Sequence, residues 1–105
     1  MELLWENDKP ASSFIAQFVS LDLSAYRKIV IDYGHYLNWS VISFIHTVGE
    51  ANYAFVIEPN ATGDRESRKL VISNSGINFE PGFFNTAQDD NRMVPQRIYG
   101  IKGGF

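Results

Sequence analysis

Two short strand-like segments joined by turn residues lie in Lys69-Leu70-Val71-Ile72-Ser73-Asn74-Ser75-Gly76-Ile77-Asn78-Phe79. Lys69 to Ser73 and Gly76 to Phe79 are typical of two short strands bounded by turn residues. The connection between them is compact, and its Asn and Gly tolerate positive φ. The sequence therefore predicts an antiparallel β-hairpin here.

Strand-like segments continue on both sides of this hairpin. In one of them Ile29, Ile31 and Tyr33 share one parity, and Lys28, Val30 and Asp32 share the other. No segment shows convincing 3.6-residue periodicity. The predicted strands are Leu3 to Trp5, Phe14 to Leu23, Arg27 to Tyr36, Asn38 to Val48, Asn52 to Glu58, Lys69 to Ser73, Gly76 to Phe79 and Met93 to Lys102. About eight strands at this spacing predict an all-β, antiparallel β-sandwich of jelly-roll-like character.

Two polar segments are predicted as loops. Pro59 to Asp64 concentrates turn-forming residues, and the charged residues Arg65, Glu66, Arg68 and Lys69 follow directly, which predicts an exposed loop. A longer irregular stretch is predicted from Asn85 to Arg92, and its end, Asp89-Asp90-Asn91-Arg92, is a dense polar cluster.

Length and charge restrict the classes of function. The 105 residues fit one domain, residues 1–105, with no length for a second core. The net charge of -3 gives no positive excess for a phosphate backbone, so no nucleic acid partner is expected. Zero cysteines exclude disulfides and thiolate chemistry. The apolar stretches are shorter than the roughly 20 residues of a membrane span, and residues 1–10 lack the features of a secretion signal, so no membrane insertion is expected.

The two ends of the chain carry motifs that resemble a known group of proteins. These motifs are Leu4-Trp5-Glu6-Asn7, Ser13-Phe14, Ala16-Gln17, Val19-Ser20-Leu21-Asp22-Leu23-Ser24-Ala25-Tyr26 and Ile98-Tyr99-Gly100-Ile101-Lys102. They resemble small virion-associated proteins of tailed bacteriophages and prophages. The resemblance implies a jelly-roll domain of a tail, fibre or capsid decoration, with no catalytic residues to carry over. It also implies assembly in the bacterial host cytoplasm and a final place in the virion.

The motif residues also have a structural interpretation from their chemistry alone. Large apolar residues in strands are usually buried, so Trp5, Leu21, Leu23, Tyr26 and Ile98 are expected in the core. Gly100 is expected to let two backbones approach closely.

Catalytic and metal-binding constellations are weak in this sequence. His35 and His46 with Asp32 and Glu50 could form a metal site, but no spacing fixes a third ligand. Carboxylate pairs could be drawn from Asp32, Glu58, Glu80, Asp89 and Asp90, but sequence does not supply the separation that glycoside hydrolysis needs. We therefore expect no enzyme, no metal and no cofactor.

A carbohydrate site is the more serious hypothesis, because sugar-binding sandwiches stack an exposed aromatic side chain on a sugar ring. The candidate residues are Trp39, Tyr36, Tyr53, Asn38, Asp89, Asn91 and Arg92. The opposing interpretation is that Trp39 and Tyr53 pack between the sheets and that the loop polar groups are merely solvated.

The sequence leaves two functions open. The first is a bacteriophage or prophage structural protein, assembled as a homo-oligomer with other virion proteins and contributing to attachment to a host-surface glycan. Self-association is expected because a small sandwich has edge strands that must be covered or paired. The alternative is a free-standing carbohydrate-binding β-sandwich module.

Overall fold

The computed structural model describes residues 1–34, 40–57 and 61–102, and these residues form nine β-strands with no helix. The strands are β1 (Glu2–Glu6), β2 (Gln17–Ser20), β3 (Lys28–Gly34), β4 (Val41–Thr47), β5 (Ala51–Ile57), β6 (Arg65–Ser73), β7 (Gly76–Phe84), β8 (Ala87–Gln88) and β9 (Val94–Ile101). They form two antiparallel sheets that pack together, so the predicted all-β sandwich is confirmed.

The strand order combines distant and local pairings. The first sheet has the order β1-β9-β3-β4, and the second has the order β2-β7-β6-β5 with the short β8 also paired to β7. The outer pairs β1–β9 and β2–β7 are nested as in a jelly roll. The inner strands instead pair with their neighbours in sequence, as the hairpins β3–β4 and β5–β6. The predicted hairpin between Ser73 and Gly76 is confirmed as β6–β7.

The core lies between the sheets and is built from alternate residues of the central strands. In β3, Ile29, Ile31 and Tyr33 have no exposed surface, as their shared parity predicts. Leu70 and Ile72 of β6 face them from the other sheet. The predicted core positions Leu23, Tyr26 and Ile98 are buried, and Trp5 and Leu21 are partly buried against the same cluster.

Two residues of the charged stretch after the predicted loop, Glu66 and Arg68, are buried, which corrects the sequence interpretation. Strand β6 begins at Arg65, and Glu66 and Arg68 point inward with no exposed surface. Arg65 and Lys69 alternate with them on the outer side of the sheet. Alternation along the strand therefore determines which charges are buried, even in a run of mostly charged residues.

The predicted strand from Phe14 to Leu23 is also too long. Only Gln17–Ser20 pairs with β7, so residues before it do not follow the strand alternation. Phe14 turns into the core and is 6% exposed, whereas Ile15 is 63% exposed. The alternation expected of a strand therefore fails at Phe14 and Ile15, while Val19 and the predicted core residue Leu23 are buried.

Candidate functional site

The structure describes four of the seven predicted carbohydrate-binding residues and does not bring these four together. Tyr36, Asn38 and Trp39 lie outside the described residues, as does His35. Tyr53 lies on the outer face of β5 and is 61% exposed, so it is not packed between the sheets. Asp89, Asn91 and Arg92 follow β8 in the connection to β9.

The 89–93 connection is fixed by the buried guanidinium of Arg68. Arg68 Nε donates to the carbonyl of Met93 at 2.9 Å, and Nη1 donates to the carbonyl of Glu80 at 2.8 Å. Nη2 donates to the carbonyls of Asp90 at 3.2 Å and Arg92 at 3.0 Å. Burial lowers the pKa of Arg68 to about 10, so the group stays charged at neutral pH. Arg68 therefore holds this connection in place from the interior of the fold.

Asp89, Asn91 and Arg92 form part of the same internal network. Arg92 Nε donates to Asp89 Oδ2 at 2.9 Å, and the Asn91 backbone N–H donates to Asp89 Oδ1 at 3.1 Å. The bond from Arg92 is the main cause that holds the pKa of Asp89 below its usual value. The Arg92 guanidinium also lies 4.3 Å from the ring centre of Phe84 and 3.6 Å from the buried Glu66 carboxylate. These contacts give the three residues a structural role.

Tyr53 and the loop residues do not converge on one site. Tyr53 points outward from the second sheet, whereas Arg92 contacts Glu66, whose side chain points inward. A ligand stacked on Tyr53 would therefore lie on the opposite face of the sheet from the Arg92 network. Carbohydrate binding by Asp89, Asn91 and Arg92 stays a prediction. These three residues share no surface with Tyr53.

The outer face of β5 and β6 carries an apolar surface, of which only Tyr53 was predicted to bind a ligand. Phe55 is 47% exposed and Ile57 is 60% exposed, on the same side as Tyr53. Tyr53 pairs with Lys69, Phe55 with Ser67 and Ile57 with Arg65. Tyr53, Phe55, Arg65 and Ser67 line a shallow groove of about 330 Å³. The period-two spacing of Tyr53, Phe55 and Ile57 is the signal that could have identified this surface.

One side of the sandwich presents two strands without charge. β4 and β5 are the last strands of their sheets, and residues 48–50 join them directly, so both edges lie on the same side. Neither Val41–Thr47 nor Ala51–Ile57 contains Asp, Glu, Lys or Arg. At the opposite side, β1 carries Glu2 and Glu6 and an irregular register, and β2 has only four residues. Charges, irregularities and shortness are the usual means of protecting a sheet edge.

His46, the one described histidine, is an internal residue of β4. It is 2% exposed, and its Nε2 lies 2.9 Å from the hydroxyl of Tyr33. Burial lowers the pKa of His46 to about 4, and a hydrogen bond with Asn52 partly opposes that shift. Asp32 belongs to the other parity of β3 and accepts a hydrogen bond from Ser43 at 2.6 Å. Within residues 1–34, 40–57 and 61–102, no three His, Asp or Glu side chains are grouped as metal ligands.

The protein is an all-β antiparallel sandwich whose neighbouring edge strands, β4 and β5, contain no Asp, Glu, Lys or Arg. Comparison of the chain with protein-family models, with curated proteins and with solved structures found no match. Among the described residues, no helix has the length and apolar character required to cross a membrane.

Proposed function

We propose that this protein is a structural module that assembles with copies of itself, as a component of a bacteriophage or prophage particle. The uncharged, exposed edge strand β5 carries the assembly part of the proposal. The virion part rests on the resemblance of the terminal motifs, from Leu4-Trp5 and Val19 to Tyr26 at one end to Ile98 to Lys102 at the other. A structural role requires no catalytic residues and no cofactor.

An edge strand offers backbone donors and acceptors to any strand that can lie beside it. In β5, the side chains of Tyr53, Phe55 and Ile57 add apolar area on the outer face. Charged side chains would repel an identical strand, and β5 has none. A second copy of β5 is therefore an acceptable neighbour for the first.

The sequence of β5 suits antiparallel pairing with itself. Pairing centred on Ala54 places Tyr53 of one copy opposite Phe55 of the other, on the same outer face. Aromatic pairs across neighbouring strands contribute roughly 0.2–1 kcal/mol each relative to alanine pairs. Such pairing joins two sheets into one continuous sheet with a two-fold axis, which is the commonest symmetry of homo-oligomers.

Three variants and the wild type test this proposal by sedimentation velocity. Phe55→Lys adds a charge to β5, Ile45→Lys adds one to β4, and Val71→Lys adds one to the outer face of β6, away from the edge. We expect Phe55→Lys to shift the population towards monomer and Val71→Lys to leave it unchanged. If only Ile45→Lys caused dissociation, the contact would lie at β4 instead of β5. Equal dissociation of all three variants would contradict a contact through an edge strand.

A free-standing carbohydrate-binding module is the second candidate. It is favoured by one observation, the exposure of Tyr53 beside Phe55, Arg65 and Ser67 on the groove of about 330 Å³. An aromatic face with a guanidinium and a hydroxyl nearby could stack on a sugar ring and bind its hydroxyl groups. Binding of a monomer to immobilised glycans, lost in both Tyr53→Ala and Arg65→Ala, would support this candidate over assembly.

A further inference from the structure

A second concave surface lies at the other side of the sandwich, away from β5. It is an open hollow of about 500 Å³ between the end of β1 and the start of β2. Trp5 and Phe14 form its apolar part, and its polar part includes Glu6, Asp8, Lys9, Ser13 and Gln17. None of these residues belongs to the Tyr53 groove.

The aromatic part of this hollow is held rigidly. Trp5 packs edge-to-face against Phe14, with 6.1 Å between ring centres and 78° between ring planes. Phe14 in turn packs edge-to-face against Phe79 at 5.4 Å, and the Arg68 guanidinium lies 5.5 Å from its ring centre. Edge-to-face packing and a buried cation fix the orientation of an aromatic ring. Trp5 is thus a preorganised, partly exposed surface.

The loop that forms the polar part is fastened to β9. The Asn7 backbone N–H donates to the carbonyl of Gln96 at 2.8 Å, and its side-chain Nδ2 donates to the carbonyl of Pro95 at 2.9 Å. The side-chain Nε2 of Gln96 donates to the carbonyl of Pro10 at 2.7 Å. Inside the loop, the Lys9 N–H donates to Asn7 Oδ1 at 2.8 Å. These bonds place Asp8 and Lys9 at the hollow before any ligand binds, which reduces the entropic cost of binding.

The polar side chains around Trp5 supply both donors and acceptors. Glu6 and Asp8 accept hydrogen bonds, Lys9 donates them, and Ser13 and Gln17 do both. One carboxylate oxygen of Glu6 already accepts from Arg97 Nε at 2.8 Å, which fixes that side chain as well. A ligand that fits this lining has many hydroxyl groups and one apolar C–H face for the indole.

We propose that the hollow beside Trp5 binds a neutral saccharide. Opposite charges are mixed around it, which disfavours a phosphate or another strongly anionic ligand. Its apolar surface is limited to the two aromatic residues, which disfavours a lipid. The site does not depend on self-association, because it lies beside β1 and β2 whereas the proposed contact uses β5.

The test is titration of the ¹⁵N-labelled full chain with glucose, galactose and N-acetylglucosamine, followed by amide and indole chemical shifts. We expect at least one of these sugars to shift the Trp5 indole signal together with the amides of residues 7–9 and Gln17, in a saturable manner. Asp8→Ala and Gln17→Ala should each weaken that binding about tenfold, because each removes hydrogen bonds to the ligand. Val71→Ala, at an exposed position of β6 outside both concave surfaces, is the control and should bind as the wild type does.

Two results would overturn the proposal. One is the absence of shifts in the Trp5 hollow with all three sugars. The other is a response confined to β5 and β6 that Tyr53→Ala abolishes, since this would place the saccharide in the outer groove. Because Asp8 and Gln17 are exposed, their alanine variants should fold, and retained thermal stability confirms that any loss of binding is local.

Discussion

The ring of Tyr26 lies directly on Gly100 of the central strand β9. A methyl group at Gly100 would sit 2.5 Å from Cζ and 2.7 Å from Cδ1 of that ring. The Tyr26 hydroxyl donates to the carboxylate of Glu2, which pairs with Gly100 across β1 and β9. Gly100 is therefore needed because an aromatic ring occupies the place of a side chain. The expected close approach at Gly100 exists, but its partner is a ring and not a second backbone.

Gly100→Ala should lower the free energy of unfolding by about 1–3 kcal/mol, the usual cost of overpacking a core. Urea denaturation measures this value, and the same substitution in a Tyr26→Ala background serves as the control. The added methyl group should cost much less in that background, because the obstructing ring is absent. Equal costs in both backgrounds would show that Tyr26 is not the cause.

Arg68→Met should lower the free energy of unfolding by about 3–5 kcal/mol, because it leaves several buried carbonyls without their donor. One of these belongs to Met93, which is fully buried and has a φ of 47°, a conformation that non-glycine residues seldom adopt. Arg65→Met is the matched control on the same strand. Since Arg65 is exposed, its substitution should change stability by no more than about 0.5 kcal/mol.

Stability should fall when the pH decreases from 6.5 to about 4. His46 has a pKa of 6.5 when unfolded and about 4 when folded, so in this interval the unfolded chain binds more protons. The contribution of neutral His46 to the free energy of unfolding is fully present above pH 6.5. About 3 kcal/mol of it is lost by pH 4. Denaturation across this range should show a steeper loss for wild type than for His46→Gln. Parallel curves would contradict a buried, neutral His46.

Amide hydrogen exchange tests the proposed contact of β5 with a second copy. The β5 amides that do not pair with β6 are open to water in a monomer, and they should become protected as protein concentration rises. The amides of β1, whose strand carries Glu2 and Glu6, provide the comparison and should show no such dependence. Protection that rises equally at both edges would argue against a specific β5 contact.

The fold class was predictable because the alternation of apolar residues has a clear period of two, most plainly in β3 and in the β6–β7 hairpin. Burial of Glu66 and Arg68 was not predictable from their composition, since a charged residue is usually exposed. Their parity with Leu70 and Ile72 was the available signal. The orientation of Phe14 depends on where β2 begins, and that boundary is set by pairing with β7.

The candidate site was predictable only in part, for reasons of topology. Tyr53 could be named as an aromatic candidate, but its exposure depends on which face of β5 meets the core. The edge position of β5 results from the order β2-β7-β6-β5, which a single sequence does not reveal. The hollow at Trp5 likewise depends on the bonds from Asn7 and Gln96 between distant parts of the chain.

Light scattering across a wide concentration range tests the proposed self-assembly through the β5 edge. We predict a mass that is a multiple of the 11.9 kDa chain and that falls towards 11.9 kDa on dilution or in Phe55→Lys. A mass of 11.9 kDa at every concentration of the wild type would contradict self-assembly.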